Sequence, residues 1–309
     1  MDERGITEAD AAAVADLLRA CHIAVLGRWD FTMAELEADL RNDELHHIGW
    51  YDGPAMVAYG WAGSGGSSPK VHLDPYVHPT VADAAVGVRL LARLEEIGRG
   101  FAAQRGHDHA VFDIGAYRQD ERAQGWLRER GFEIGTTFTR MRIDVPTPVT
   151  VPDAPPGVVV RRSSGSEADL RTAHSVLEGS FGEHYGHVPQ TFDEWRKQYD
   201  EHGDEWSSLW LATADSAPVG ALVGTEQFVE DENAGYVRSL GVLPAGRGRG
   251  VAKQLLHTYF AASQRAGREA VLLHVDVANV TNALALYESV GMRSVLQIDA
   301  WTKRSTVPD

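Results

Sequence analysis

Between Val237 and Leu256 the chain reads VRSLGVLPAGRGRGVAKQLL, so that Gly246, Gly248 and Gly250 alternate with Arg247 and Arg249 between an apolar run and a helical pattern. That spacing can hold an oxyanion. A helix beginning near Gly250 leaves its first N–H groups without intrahelical partners and turns the positive end of its dipole toward the glycines. The glycines permit close approach and unusual dihedrals, while the two guanidinium groups add donors and charge. A pyrophosphate fits such a turn. The Gly-Lys-Ser/Thr ending of a Walker loop is missing, and the glycine spacing is not Gly-x-Gly-x-x-Gly.

Other residue types capable of chemistry are more scattered. His274 and Asp276 lie in the apolar run VLLHVDV, the first reading as a satisfied core histidine and the second as a strand-end carboxylate within reach of a cleft. Glu226 ends a predicted strand, and Glu230, Asp231 and Glu232 follow in a hairpin turn whose charge run suits a solvated face. His184, Tyr185 and His187 stand with two glycines in FGEHYGHVPQTFDEW. This segment is either a surface loop or a substrate loop. Aromatic rings near carboxylates would suit an ammonium-bearing metabolite.

The elements that must position these residues follow from composition and pattern. A chain of 309 residues, 43% hydrophobic and 24% charged, has the composition of a globular protein of about two domains. No apolar run approaches the ~20 residues of a membrane span, and the start MDERGITEAD has no secretory pattern, so a cytoplasmic protein is expected. The net charge of −15, from 44 acidic and 29 basic residues, opposes nucleic-acid binding and favours a cationic small molecule. Cys21 is the single cysteine, which excludes an internal disulfide and multi-thiolate zinc sites, and the 13 histidines show no zincin pattern. No metal is expected.

The chain contains its own repeat. The proline-rich segment VTVPDAPPGV reads as a linker, giving domains at 1–146 and 158–309 with residues 147–157 between them. VHPTVADAAVGVRLL aligns with VLPAGRGRGVAKQLL, Pro79 with Pro244, and AVFDIGAYRQDERAQGWLRERGF aligns with AVLLHVDVANVTNALALYESVGM, Gly131 with Gly291. In the second half, strands are predicted at VVVRRS, LWLAT, PVGALVGTEQ, AGYVRSLGV and EAVLLHVDV, with a last strand reaching Trp301. Helices are predicted from Glu167 to about Gln198, from Gly250 to about Arg265, and over NALALYESV. That mixture implies an α/β sheet with helices on its faces.

Arg247, Gly250 and Ala252 satisfy Arg/Gln-x-x-Gly-x-Gly/Ala after the strand ending SLGVLP, and NVTNALALYESVGM follows in order. Together these resemble the GNAT superfamily of N-acetyltransferases, in a tandem arrangement similar to that of mycothiol synthases. The resemblance implies two GNAT-like domains, each a mixed, mostly antiparallel sheet flanked by helices, with the catalytic one at the C-terminus. It implies acetyl-CoA as donor, the main chain of Leu240, Gly241 and Val242 facing its thioester arm, and Arg247, Gly248, Arg249, Gly250, Val251 and Ala252 facing its pyrophosphate. Asn279 matches a CoA-contacting position, and Tyr287 the acid that protonates the leaving thiolate. The first half departs from the pattern, with Val81, Ala82, Asp83, Ala84 and Ala85 where the loop should be. It is expected to be degenerate.

The strand before the loop lacks the glutamate that the superfamily often places there, and Glu226 is the nearest candidate base. The expected reaction is acetyl transfer to the primary amine of a small molecule, which would bind near His184, Tyr185 and His187. A pseudo-disaccharide amine is an alternative acceptor, and a non-catalytic acyl-CoA sensor an alternative role. Tyr287 favours catalysis, because a sensor has no use for a thiolate acid.

Overall fold

The computed structural model describes residues 1–63, 68–145, 149–182, 189–201, 206–277 and 283–307. Two compact units divide it, one of residues Met1–Phe138 and Leu296–Asp309, the other of Thr139–Val295. Both are α/β with a mixed, mostly antiparallel sheet.

In the first unit, strands β1 (Asp2–Gly5), β2 (Leu45–Asp52), β3 (Ala55–Gly63), β4 (Lys70–Val77) and β5 (His109–Tyr117) lie side by side in chain order. Their pairings are antiparallel except β4 with β5. Helices α1 (Ala11–Leu26) and α2 (Met33–Arg41) follow β1, α3 (Ala85–Gln104) crosses from β4 to β5, and α4 (Glu121–Glu129) follows β5. Thr32 caps α2 in a reciprocal box with Glu35, and Asp120 caps α4 by accepting from the Ala123 N–H at 2.9 Å. Leu90, Leu91 and Leu94 of α3 pack on Phe112 of β5 in the core of this unit.

The repeat continues through β6 (Glu133–Asp144) into the second unit, which holds β7 (Val158–Arg162), α5 (Glu167–Phe181), α6 (Phe192–Glu201), β8 (Leu209–Ala214), β9 (Ala217–Phe228), α7 (Val229–Glu232) and β10 (Ala234–Val242). There follow α8 (Val251–Arg265), β11 (Ala270–Asp276), α9 (Ala283–Ser289) and β12 (Arg293–Thr306). β7 to β10 form an antiparallel run, and β10 pairs in parallel with β11. The helical stretch expected from Glu167 to Gln198 is two helices, and the last strand runs past Trp301 to Thr306.

The last strands of the two repeats are exchanged. β6 begins in the first unit but belongs to the second from Thr139 onward, whereas β12 begins in the second and belongs to the first from Leu296 onward. Residues 296–309, which the sequence alone assigned to the second domain, therefore complete the first: Ile298 to Thr306 pair antiparallel with Tyr117 to His109 of β5. Equivalent strands of a duplicated unit have the same pattern and can replace one another at little cost. No helix among the described residues is long and apolar enough to cross a membrane.

Candidate active site

The parallel pair of the second unit opens into a cleft. β10 and β11 are in register from Ala234↔Ala270 to Val237↔Leu273, after which β10 continues against β9 alone. A register shift between Val237 and Ser239 places the extra residue Arg238 where the pairing with β11 stops. A bulge sharpens twist and bends its strand, which accounts for the divergence. The resulting cleft has a volume of about 780 Å³ and is bordered by β10 from Val237 to Val242, β11 from Leu273 to Asp276, the start of α8, and Tyr287 of α9.

The glycine turn lies at one end of this cleft. Gly248 and Gly250 hold φ of +73° and +78°, a region that penalises any side chain, and α8 starts directly after Gly250 with no side-chain cap. Leu240, Gly241, Val242, Arg247, Gly248, Gly250, Val251 and Ala252 all border the cleft. The Arg247 Nε–H donates to the Val242 carbonyl at 3.3 Å. Arg249 does not join them: its guanidinium donates to Asp215 at 2.8 Å, outside the cleft lining. Lys253, not anticipated, does line it. The first turn of α8 has no acid and this one cation, the reverse of what the dipole favours unless an anion is bound there. That inversion is visible in GRGVAKQLL.

Farther along, burial pushes the Tyr287 phenol up to about 12, with the neighbouring Tyr236 adding to the effect. His274 borders the cleft with both ring nitrogens engaged, Nε2 accepting from the Arg140 Nε–H at 3.0 Å and Nδ1 facing the Tyr236 hydroxyl at 3.0 Å. Because a guanidinium can only donate, Nδ1 carries the imidazole proton and donates to Tyr236. This is the satisfied histidine that the sequence suggests, and it has no lone pair left for an incoming proton. Glu232, from the acidic turn, ion-pairs with Arg140 and Arg142 at 3.4 and 2.8 Å. Beside Arg238 and Ser239 of the lining, the Tyr199 hydroxyl meets Ser239 Oγ at 2.8 Å, and the Arg238 guanidinium stacks 4.4 Å from the Tyr199 ring centroid.

Glu226 is not part of the site. It is exposed, pairs with Arg268, and is absent from the cleft lining. Among the described residues, Asp276 is the carboxylate that borders the cleft. β9 carries Glu226 past the point where β10 and β11 part, a displacement that strand order alone does not reveal. His184, Tyr185 and His187, and also Asn279, lie outside the described residues.

The first unit repeats the parting of strands with different residues. By the alignment of Pro79 with Pro244, Pro75 stands at the position of Leu240 and Tyr76 at that of Gly241. Asp83 accepts the Ala85 N–H at 3.0 Å, so the start of α3 is occupied by the chain's own carboxylate. Arg122 bridges the carbonyls of Val77, His78 and Val81 at 3.4, 3.2 and 2.6 Å.

A duplicated α/β unit in which one copy keeps an uncapped, glycine-lined helix start beside diverging parallel strands is the arrangement of a tandem GNAT acyltransferase. The chain belongs to the acetyltransferase (GNAT) family, which residues 172–292 match. It is 30% identical over 234 residues to mycothiol acetyltransferase of Thermomonospora curvata, covering 71% of this chain and 73% of that one. It is 28% identical over 249 residues to mycothiol acetyltransferase of Thermobispora bispora, with 78% of each chain covered. Among solved structures, a GCN5-related N-acetyltransferase from Sphaerobacter thermophilus matches with a TM-score of 0.85 at 23% identity, covering 100% of this chain and 96% of its own. A tandem GNAT protein from the clavulanic acid biosynthesis pathway matches at 0.77 and 14% identity, covering 100% and 99%. These two likenesses bear on the fold.

Proposed function

We propose that the chain transfers an acetyl group from acetyl-CoA to the primary amine of a small molecule, by direct attack within a ternary complex in the second unit. The observation that carries this reading is the parting of β10 and β11 beside the uncapped start of α8. The edge of β10 from Leu240 to Val242 that β11 leaves uncovered would receive the pantetheine arm, and the N–H groups around Gly248 to Ala252, with Arg247 and Lys253, the pyrophosphate. Asp276, directly or through a water, takes a proton from the ammonium. The amine nitrogen then attacks the thioester carbonyl, and collapse of the tetrahedral intermediate breaks the C–S bond. Tyr287 gives its proton to the departing sulfur and is reprotonated by the one the amide nitrogen sheds, directly or through water, a task supported by a phenol held protonated at neutral pH.

A narrower reading takes the acceptor to be a pseudo-disaccharide amine of mycothiol synthesis, which the names of the curated relatives favour. Both are tested by incubating the full chain with acetyl-CoA and a panel of primary amines that includes such a pseudo-disaccharide, following thiol release. Release with simple amines alone removes the narrower reading. Acetyl-CoA binding without release on any amine leaves a non-catalytic acyl-CoA-binding module.

A further inference from the structure

The cleft of the first unit is lined for a ligand unlike acyl-CoA. β4 and β5 pair from Lys70↔Val111 to His72↔Asp113 and then separate. The opening holds a cavity of about 290 Å³, adjoining a pocket of about 50 Å³ across Cys21, Pro75, Tyr76 and Asp120. Asp74 lines the smaller pocket, accepts the Tyr76 hydroxyl at 2.9 Å, and makes no ion pair among the described residues. Burial pushes its carboxyl up to about 7. Aromatic rings surround this end: His22 lies 5.8, 6.0 and 5.9 Å from the ring centroids of Trp29, Tyr76 and Tyr117.

Two buried donors, one on a residue lining each of the two adjoining pockets, lack acceptors. His22, 3% exposed, receives the Asp30 N–H on Nδ1 at 3.3 Å, which places its own proton on Nε2, and Nε2 has no partner among the described residues. Trp126, 6% exposed and bordering the larger cavity, has an indole N–H that is likewise unpartnered. Buried polar atoms are normally satisfied, so two orphan donors, one on a residue lining the smaller pocket and one on a residue lining the adjoining cavity, point to acceptor atoms that belong between them. Arg122 also lines the larger cavity, but its guanidinium is engaged with three carbonyls and excludes a cation from that end.

We propose that this cleft is a second ligand site, taking a small primary amine that bears hydroxyl oxygens. Its ammonium lies against Asp74 and the Tyr76 ring, and its oxygens accept from His22 Nε2–H and Trp126 Nε1–H. The inference is independent of the acetyl-transfer reading, since every residue it uses is in the first unit.

The test is calorimetry on the full chain without acetyl-CoA, with glucosamine and ethanolamine as probes and glucose and butylamine as controls. The hydroxylated amines are expected to bind, and each control, lacking one half of the recognition, to bind about tenfold more weakly. Asp74→Asn, which removes the charge, and Trp126→Phe, which keeps a ring but deletes the N–H, are each expected to weaken the probes by about tenfold. Trp126→Phe decides the matter if Asp74→Asn does not fold. Absence of binding into the millimolar range would overturn the proposal and leave ordered water as the occupant. Affinity unchanged in the folded variants would overturn it too, by placing the amine in the second unit.

Discussion

Tyr287 packs its ring on the core of the second unit and borders the cleft, so its hydroxyl and its ring can be separated by substitution. Tyr287→Phe is expected to lower turnover by ~100 to 10,000-fold while leaving the melting temperature and acetyl-CoA affinity unchanged. A near-normal turnover number would make it a packing residue. Asp276→Asn should lower turnover on a similar scale of ~100-fold or more while acetyl-CoA affinity is kept. Unchanged turnover would assign deprotonation to solvent. Asp74 gives a residue-scale prediction about stability. Its folded pKa is raised above the ordinary carboxylate value, so between about pH 4 and 7 the unfolded chain loses a proton that the folded chain keeps. Folding is therefore penalised increasingly as pH rises through that window, with the penalty complete above it. Asp74→Asn should flatten this dependence and raise the melting temperature at pH 8 relative to pH 4, measured against the parent chain.

The starts of α3 and α8 are the same element of the repeat in two chemical states. Asp83 closes one, whereas Gly250 leaves the other open. Gly250→Asp puts a carboxylate against the proposed pyrophosphate site and a side chain into a φ of +78°. It is expected to abolish acetyl-CoA binding by calorimetry in a chain whose first unit melts normally. Retained affinity in a folded variant would move the cofactor elsewhere. α3 also anchors the first unit through Glu95, only 1% exposed, which accepts from Arg130 at 2.9 and 3.0 Å and from Lys303 of β12 at 2.8 Å. Glu95→Ala would strand these cations and should cost about 3–5 kcal/mol, read as a lower denaturation midpoint. Much of that cost reflects unpaired charge rather than the net worth of the network.

At the scale of the whole molecule, duplication has left two clefts with different linings. Pro75 offers no N–H where Leu240 does, Tyr76 adds a ring where Gly241 has none, and Arg122 ties down the turn that would meet a phosphate. Acetyl-CoA is accordingly expected to bind with a stoichiometry of one per chain. Arg247→Ala should weaken that binding, whereas Asp83→Ala should not alter it. Two molecules bound per chain would show that the first cleft also accepts the cofactor.

The sequence by itself determined the duplication, the α/β class and the glycine turn that opens α8, because each depends on local pattern: repeated spacing, apolar periodicity, and glycines directly before a helix. It placed Tyr287 correctly on a helix after the cleft's second strand for the same reason. What tertiary structure decided was which side chains face the opening. Arg249 follows Arg247 by two residues, yet the turn sends it to Asp215, a partner distant in sequence. Glu226 is near the site in strand order, but the sheet carries it to Arg268. Lys253 came into view only where α8 begins, and Asp276, one of several carboxylates the sequence offered, was singled out only where the bulge at Arg238 parts the strands. The exchange of β6 and β12 was equally hidden, since two strands of the same pattern satisfy either sheet and only the packed chain selects between them. Local propensity fixes the elements, while the direction of a side chain depends on contacts that close over long stretches of chain.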